Sequence, residues 1–313
     1  MVAAVESTGE VALTTTYSPS RPVDLRLTLG PLSRGRGDPT MRWDGPAVWR
    51  TALTPAGPAT LHLLAGPGRI DGTAWGPGAG WALAQLPELL GSLDDDAGFD
   101  HTLHPLLRDT ARRLPGLRLP RCGLVFEMLV PACLEQKVTG TEARRAWRAL
   151  LMAYGGRAPG PAPVGMRVCP PPAVWARVPS WAWHRAGVDG KRSRTILAAA
   201  AVAPLLERTV ALGNGGPAVA AVLRSVPGVG AWTAAEIAQR AHGDADAVSV
   251  GDFHLASFVG WALLGRPLDD EGMLAALAPW APQRQRAVRL VEVSGVRRPR
   301  FGPRLAIADH RSR

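Results

Sequence analysis

A glycine-rich turn and an aspartate further along the chain carry the clearest chemical signal in the sequence. Residues 226–234 read VPGVGAWTA, and residues 250–252 read VGD. The pattern predicts a helix over 218–223, a turn over 227–230 and a second helix over 231–240. Glycines at the start of that second helix would let backbone N–H groups approach an anion such as a phosphate. A fixed carboxylate nearby would stabilise positive charge that develops during a reaction.

Asp252 is predicted to cap a helix, because the apolar residues that follow it have helical spacing up to Val259. A helix N-terminus favours a negative charge at that position. Aspartate is also one of the commonest capping residues, and a lone PGVG is typical of an ordinary tight turn. Neither feature establishes a functional site by itself.

Together these features resemble the helix-hairpin-helix DNA glycosylases, and within them the branch of 3-methyladenine DNA glycosylase II. The match rests on residues 223–234 and 250–252, with a weaker match at 126–139, and the similar pattern extends over roughly 93–300. The resemblance implies an α+β fold. It predicts a small mixed β/α domain over 1–92, a mainly α-helical glycosylase domain over 93–296, and a basic, disordered tail over 297–313.

The resemblance also assigns roles to individual residues. Asp252 would be the catalytic residue that stabilises the sugar cation while a flipped, damaged nucleotide loses its base. The DNA-binding residues would be Gly228, Val229, Gly230, Thr233, Gln136 and Lys137, the last two in the loop that fills the gap left by the flipped base. Trp232 stands where relatives that are also lyases carry a lysine, so the enzyme is predicted to be monofunctional, with Trp232 presented to the base pocket.

Two residues depart from the pattern of the family. Glu236 and Glu292 fall where the best-known relative has aromatic pocket residues. Their carboxylates would favour cationic alkylated purines, or they would mark a bulky or crosslinked adduct as the substrate, or they would point to solvent. A catalytically inactive helix-hairpin-helix DNA-binding protein is the competing class, although such a module needs no carboxylate near the sugar.

Composition agrees with a DNA-binding protein. The net charge is +10, and residues 1–92 hold seven arginines and seven acids, so the excess lies in residues 93–313. Arginines outnumber the two lysines, Lys137 and Lys191, so coding bias explains part of the charge. The expected partner is damaged double-stranded DNA, bound by a monomer in the cytoplasm at the nucleoid. No run of apolar residues is long enough to predict a membrane span.

No cofactor is required by the sequence. The three cysteines, Cys122, Cys133 and Cys169, are too few for the four-cysteine iron–sulfur cluster that some relatives carry. No metal site is predicted, since no spaced carboxylates accompany the acidic run at 94–96, which is interpreted as a solvated domain boundary. A monovalent cation held by backbone carbonyls of the hairpin is the one candidate ion.

The remaining elements follow from periodicity. Strands are predicted at 23–29, 48–53 and 60–65, a helix at 81–90, and a frayed lead-in at 1–14. Helices are expected at 105–111, 124–134, 193–210, 253–264, 273–277 and 284–293, and a capping box at 139–142 starts one more. Residues 157–172 are interpreted as a loop. Trp175, Trp181 and Trp183 are interpreted as packing aromatics.

Overall fold

The computed structural model of the protein describes residues 3–7 and 10–297. Residues 298–313, which include nearly all of the predicted basic tail, lie outside the described residues. Helices and an antiparallel sheet make an α+β fold, as the sequence predicts.

Strands fill most of the N-terminal part. They are β1 (Ala3–Ser7), β2 (Glu10–Tyr17), β3 (Met41–Asp44), β4 (Ala47–Thr54), β5 (Gly57–Gly66) and β6 (Arg69–Trp75). They form one six-stranded sheet in the order β1-β2-β6-β5-β4-β3, with every neighbouring pair antiparallel. The predicted strands at 48–53 and 60–65 are confirmed as the centres of β4 and β5.

Helices form most of the rest. They are α1 (Leu25–Leu29), α2 (Ala79–Ala84), α3 (Leu86–Leu89), α4 (Pro105–Arg113), α5 (Val125–Leu134), α6 (Gly140–Tyr154), α7 (Pro172–Trp175), α8 (Ser180–Arg185), α9 (Gly190–Ala201), α10 (Ala203–Glu207), α11 (Pro217–Arg224), α12 (Ala231–Ala241), α13 (Leu255–Leu264), α14 (Asp270–Leu277) and α15 (Arg284–Val293). Short 3₁₀ turns lie at Gly30–Leu32, His101–Leu103, Arg208–Leu212 and Ala278–Trp280.

Two apolar clusters hold these elements together. The larger one runs from Val48 and Leu63 of the sheet into Leu129 of α5 and Ile237 of α12, so the sheet and the helices share a core. All ten residues of α5 are buried, and α5 packs against α6, α9, α10 and α12. The second cluster joins α4 to the C-terminal helices, α13 to α15. α12 and α15 belong to different clusters, and the space between them becomes important below.

The predicted strand at 23–29 is wrong, because the chain forms helix α1 there. The Asp24 carboxylate accepts a hydrogen bond from the Leu27 amide at 2.9 Å, which caps the helix. Leu25, Thr28 and Leu29 are buried at helical spacing. Seven residues of alternation did not distinguish a strand from a single helical turn with one buried face.

The predicted frayed lead-in at 1–14 is also wrong for the residues described there. β1 pairs with β2, and β2 continues to Tyr17 and pairs with β6. Residues 157–172, predicted as a loop, contain β7 (Gly156–Arg157) paired with β8 (Arg167–Val168). Backbone pairing with distant strands stabilises these segments, and their own periodicity does not reveal it.

The tryptophans divide into two groups. Trp175 and Trp183 are buried and stack with ring centroids 5.6 Å apart, which confirms the packing interpretation for both. Trp181 is 63% exposed, so that interpretation is wrong for it. It precedes Trp183 on the short helix α8, and a two-residue step turns its side chain away from the core.

Asp94 is not part of a solvated acidic loop. Its side chain is 1% exposed, and its two oxygens pair with both terminal nitrogens of Arg286 on α15 at 2.6 and 3.1 Å. The Leu119 amide donates to the same carboxylate at 3.1 Å. Asp95 and Asp96 remain exposed, so the interpretation holds for them. One residue of the acidic run therefore fastens α15 to the predicted domain boundary.

Within the described residues, no single helix combines the length and the apolar composition that a membrane span requires. Only Gly190–Ala201 joined to Ala203–Leu212, a pair bent by 73°, meets that requirement.

We predict that Asp94→Asn lowers the free energy of unfolding by about 3 kcal/mol, because it leaves the buried Arg286 guanidinium without its counter-charge. Urea unfolding measures the change. Asp95→Asn is the matched control, since that side chain is exposed, and its effect should stay below about 0.5 kcal/mol. Equal effects of the two substitutions would show that the buried pair contributes nothing specific to stability.

Candidate active site

The hairpin between α11 and α12 packs directly on α9. Gly228 has φ +90°, and a Cβ added there would lie 2.0 Å from Oγ1 of Thr195. Only glycine therefore fits at 228, both for its backbone conformation and for its contact with α9. Gly230 has φ −91°, and a Cβ there would meet no atom within 4 Å. The two hairpin glycines have different physical roles.

The hairpin presents backbone donors that are not satisfied within the described part of the chain. The amides of Gly228 and Gly230 donate no hydrogen bond to any described residue, and no side chain caps α12. Val229 differs, because its amide donates to Val226 O at 3.0 Å and its side chain is buried. Unsatisfied amides at the positive end of a helix dipole form an anion-binding surface, and a DNA phosphate fits that chemistry.

Gln136 lies against the hairpin. Its side-chain amide donates to Gly228 O at 3.0 Å and to Thr233 Oγ1 at 2.9 Å. Thr233 is buried, so its hydroxyl is directed to this contact. Lys137 follows at the exposed tip of the same loop with φ +54°. The loop after α5 and the hairpin are therefore fastened to each other.

Asp252 is held by three donors. Its Oδ1 accepts from the amides of His254 and Leu255 at 2.8 and 2.9 Å, and its Oδ2 accepts from Trp232 Nε1 at 3.1 Å. Gly251, at φ +89°, makes the turn before it and donates its amide to Asp270 at 2.9 Å. The helix begins at Leu255, two residues later than predicted, and the Asp252 side chain bonds its first amide.

A cleft of about 1210 Å³ opens beside Asp252. Its walls come from α12, α15, the first turns of α13, the loop that carries Asp252, and a part of the N-terminal segment. They include Pro31, Glu236, Gln239, Arg240, Ser249, Asp252, His254, Leu255, Phe258, Gln285, Val288, Arg289, Glu292, Val293 and Arg297. Arg240 lies about two helical turns beyond Trp232 on α12, so the cleft extends well past Asp252.

Glu236 and Glu292 both line this cleft, but neither carboxylate is unpaired. Glu236 pairs with Arg240 at 2.8 Å and accepts from the Ser249 hydroxyl at 2.5 Å. Glu292 pairs with Arg289 on the same helix. Burial lowers the pKa of Arg240, but Glu236, Glu135 and Glu292 outweigh that effect and raise the pKa above its ordinary value. The charge that Glu236 was expected to offer a cationic base is therefore already compensated.

Trp232 is placed by its hydrogen bond to Asp252 and is not among the residues that line the cleft. Its predicted stacking on a base stays a prediction. Sequence reasoning missed the cleft residues Gln239, Arg240, Gln285 and Arg289. Arg240 could have been found, since it follows Glu236 at the helical spacing that favours an ion pair. The other three depend on contacts between distant elements.

No group of three or more His, Cys, Asp or Glu side chains in the described residues could hold a metal ion. The candidate cation at the hairpin carbonyls stays a prediction. One of those carbonyls, Gly228 O, already accepts a hydrogen bond from Gln136.

We predict that the two hairpin glycines respond differently to substitution. Gly228→Ala should lower the melting temperature by several degrees, because the new methyl group collides with Thr195. Gly230→Val should leave the melting temperature within about two degrees and weaken binding to any duplex sequence by about tenfold, because it crowds the unsatisfied amides. Thermal unfolding and titration with nonspecific duplex measure the two effects. Unchanged affinity in a folded Gly230→Val protein would leave the hairpin with a structural role only.

Comparisons with known proteins agree with this geometry. No family model matches the chain. A curated relative, the probable bifunctional transcriptional activator/DNA repair enzyme AlkA of Mycobacterium tuberculosis, is 32% identical over 191 residues. The match includes 59% of this chain and 36% of that relative, so it spans only about a third of the relative's length.

Solved structures are similar over nearly the whole chain. The 3-methyladenine DNA glycosylase of Archaeoglobus fulgidus superposes with a TM-score of 0.70 at 15% identity, over 90% of this chain and 98% of that one. The Clostridium acetobutylicum 8-oxoguanine glycosylase/lyase, in complex with double-stranded DNA, gives 0.65 at 11% identity, over 93% and 96%. The resemblance carried by the motifs is thereby confirmed, and the chain has the fold of the helix-hairpin-helix DNA glycosylases of the 3-methyladenine type.

Proposed function

We propose that the protein is a monofunctional DNA glycosylase that excises alkylated purines from double-stranded DNA as a single copy of the chain. The observation that carries this proposal is the position of Asp252, oriented by three hydrogen bonds at the edge of a deep cleft. A relative whose printed description is a DNA repair enzyme and a neighbour described as a 3-methyladenine DNA glycosylase support it.

In the proposed reaction, the damaged nucleotide leaves the stack and its base enters the cleft. The bond between C1′ and the base breaks, the base departs with the bonding electrons, and positive charge develops on the sugar. The Asp252 carboxylate stabilises that charge, or orients the water whose oxygen bonds to C1′. The water's second proton passes to solvent or to the departing base.

The hairpin would supply the anchor for this chemistry. Its unsatisfied amides bind a backbone phosphate without reading sequence, which suits an enzyme that must examine any DNA. Lys137, exposed beside the hairpin, would add a phosphate contact at the position from which the base is flipped. Double-stranded DNA that carries a damaged base is the partner that this arrangement favours.

The absence of lyase activity is part of the proposal. A lyase needs an amine that attacks C1′, and Trp232 occupies the position of the lysine that supplies it in bifunctional relatives. Lys137 lies at the loop tip and Lys191 at the start of α9, and neither lines the cleft. A neighbouring structure is that of a glycosylase/lyase, so the fold itself does not decide the matter.

The size of the cleft favours a second candidate substrate, a bulky or crosslinked alkyl adduct. Its volume of about 1210 Å³ lies above the usual range for small-ligand pockets, which is about 300–1,000 Å³. A catalytically inactive DNA-binding module is the weaker alternative, since it gives no reason for a carboxylate with three donors at the edge of a cleft.

We predict that Asp252→Asn lowers the single-turnover rate of base release at least about 100-fold, because it removes the charge while it keeps the side chain's shape. Duplex affinity should stay equal or increase. Asp109→Asn, a change at an exposed carboxylate on α4, is the control and should have no effect. Turnover by Asp252→Asn at the rate of the unmodified protein would remove Asp252 from the mechanism.

We further predict that the protein forms no covalent complex with DNA when it is incubated with an abasic duplex and borohydride, which reduces a Schiff base to a stable amine. A glycosylase/lyase assayed in parallel should be trapped. Gel electrophoresis separates trapped from untrapped protein. A trapped complex would overturn the monofunctional assignment while it left the glycosylase assignment intact.

A further inference from the structure

Two side chains on α15 leave a polar atom buried without a partner in the wall of the cleft. They are Gln285, through Oε1, and Arg289, through Nε, and within the described residues neither atom has a hydrogen-bond partner. The two residues are one helical turn apart, so they lie on the same face of α15. Buried polar atoms are nearly always paired, and these two, one acceptor and one donor, call for a ligand that supplies the missing partners.

The rest of Arg289 is already engaged. One terminal nitrogen pairs with Glu292, and the other donates to Leu27 O at 3.2 Å. The guanidinium is therefore fixed in place. Gln285 is 3% exposed and has little freedom to turn away. Their positions make a preformed donor and acceptor, and such preformed groups bind without paying for the ordering of side chains.

Charge does not select the ligand at this place. Glu236 is paired with Arg240 and Glu292 with Arg289, so each of these carboxylates is matched by a guanidinium. A base that carries a positive charge therefore gains little from them. Hydrogen bonds to the edge of the base remain as the means of discrimination.

We propose that Gln285 and Arg289 read the edge of a guanine-type base, in which a carbonyl stands next to a ring N–H. The inference rests on the proposed function and names the substrate class of the same cleft. The carbonyl O6 accepts from the Arg289 guanidinium, and a base N–H donates to Gln285 Oε1. Arginine is the usual donor to guanine O6 in protein–DNA contacts. An adenine-type edge offers arginine no carbonyl oxygen, so alkylated guanines are favoured over alkylated adenines.

The test compares 7-methylguanine with 3-methyladenine in one methylated duplex. Both bases carry one methyl group and one positive charge, so the comparison changes the edge and keeps the charge. Released bases are resolved by chromatography over a single-turnover time course, and the measured quantity is the ratio of the two rates. Any difference in the intrinsic lability of the two bases cancels when the same ratio is compared between variants.

Arg289→Lys keeps the positive charge beside Glu292 and removes the Nε donor, and Gln285→Met keeps the length of the side chain and removes the amide. Each change should lower the ratio of the 7-methylguanine rate to the 3-methyladenine rate about tenfold, the usual scale for losing a base-edge contact. Arg284→Lys is the matched control. It is the same substitution on the same helix at a residue that pairs with Asp246 away from the cleft, and it should leave the ratio unchanged.

An unchanged ratio in both folded cleft variants would overturn the edge-reading assignment, even if both rates fell together. Should Arg289→Lys fail to fold, Gln285→Met decides alone. A second measurement is independent of catalysis: free 7-methylguanine should raise the melting temperature of the unmodified protein more than free 3-methyladenine does, and the difference should vanish in Gln285→Met. Release of neither base from the duplex would overturn the proposed function itself, and the edge-reading assignment with it.

Discussion

The structure depends on one buried guanidinium, that of Arg240. Its Nε donates to Pro31 O at 2.9 Å, and Nη1 contacts the backbone oxygen and the carboxylate of Glu236, each at 2.8 Å. A charge removed from water is tolerated only when such partners are fixed around it. Arg240 therefore determines where α12 lies against the N-terminal segment, and it shapes one wall of the cleft.

The cleft is consequently a joint product of the two parts of the chain. Arg240 reaches Pro31, and Arg289 reaches Leu27, so two cleft residues hold the segment around α1 in place. The N-terminal part was expected to have a structural role only. Its contact with the walls of the cleft gives it a share in the shape of the base pocket, although Pro31 alone among its residues lines the cleft.

The elements around the site could be predicted wherever the signal was local. The hairpin, α12 and the capping box of α6 follow from glycine positions and from apolar spacing within a few residues. α1 was mistaken for a strand because its helical pattern is a single turn long, and β1 needs a partner strand to be recognised. A strand order of β1-β2-β6 cannot be read from periodicity alone.

The candidate site divides in the same way. Asp252 was predictable from its motif, and the Glu236–Arg240 pair was available from helical spacing. By contrast, Gln285 and Arg289 contribute to the cleft only because α15 packs opposite α12, and Asp94, more than 190 residues from Arg286 in sequence, helps to hold α15 there. Contacts over such separations leave no trace in composition or spacing.

The close contact between Gly228 and Thr195 has a mechanical consequence. A turn seated on a helix at this distance has no space to shift towards it, and Gln136 ties the turn to a second element. A phosphate that binds there meets a rigid anchor. The duplex must then supply most of the distortion that brings a nucleotide into the cleft, so the stiffness of the local DNA sequence should set the energetic cost of extrusion.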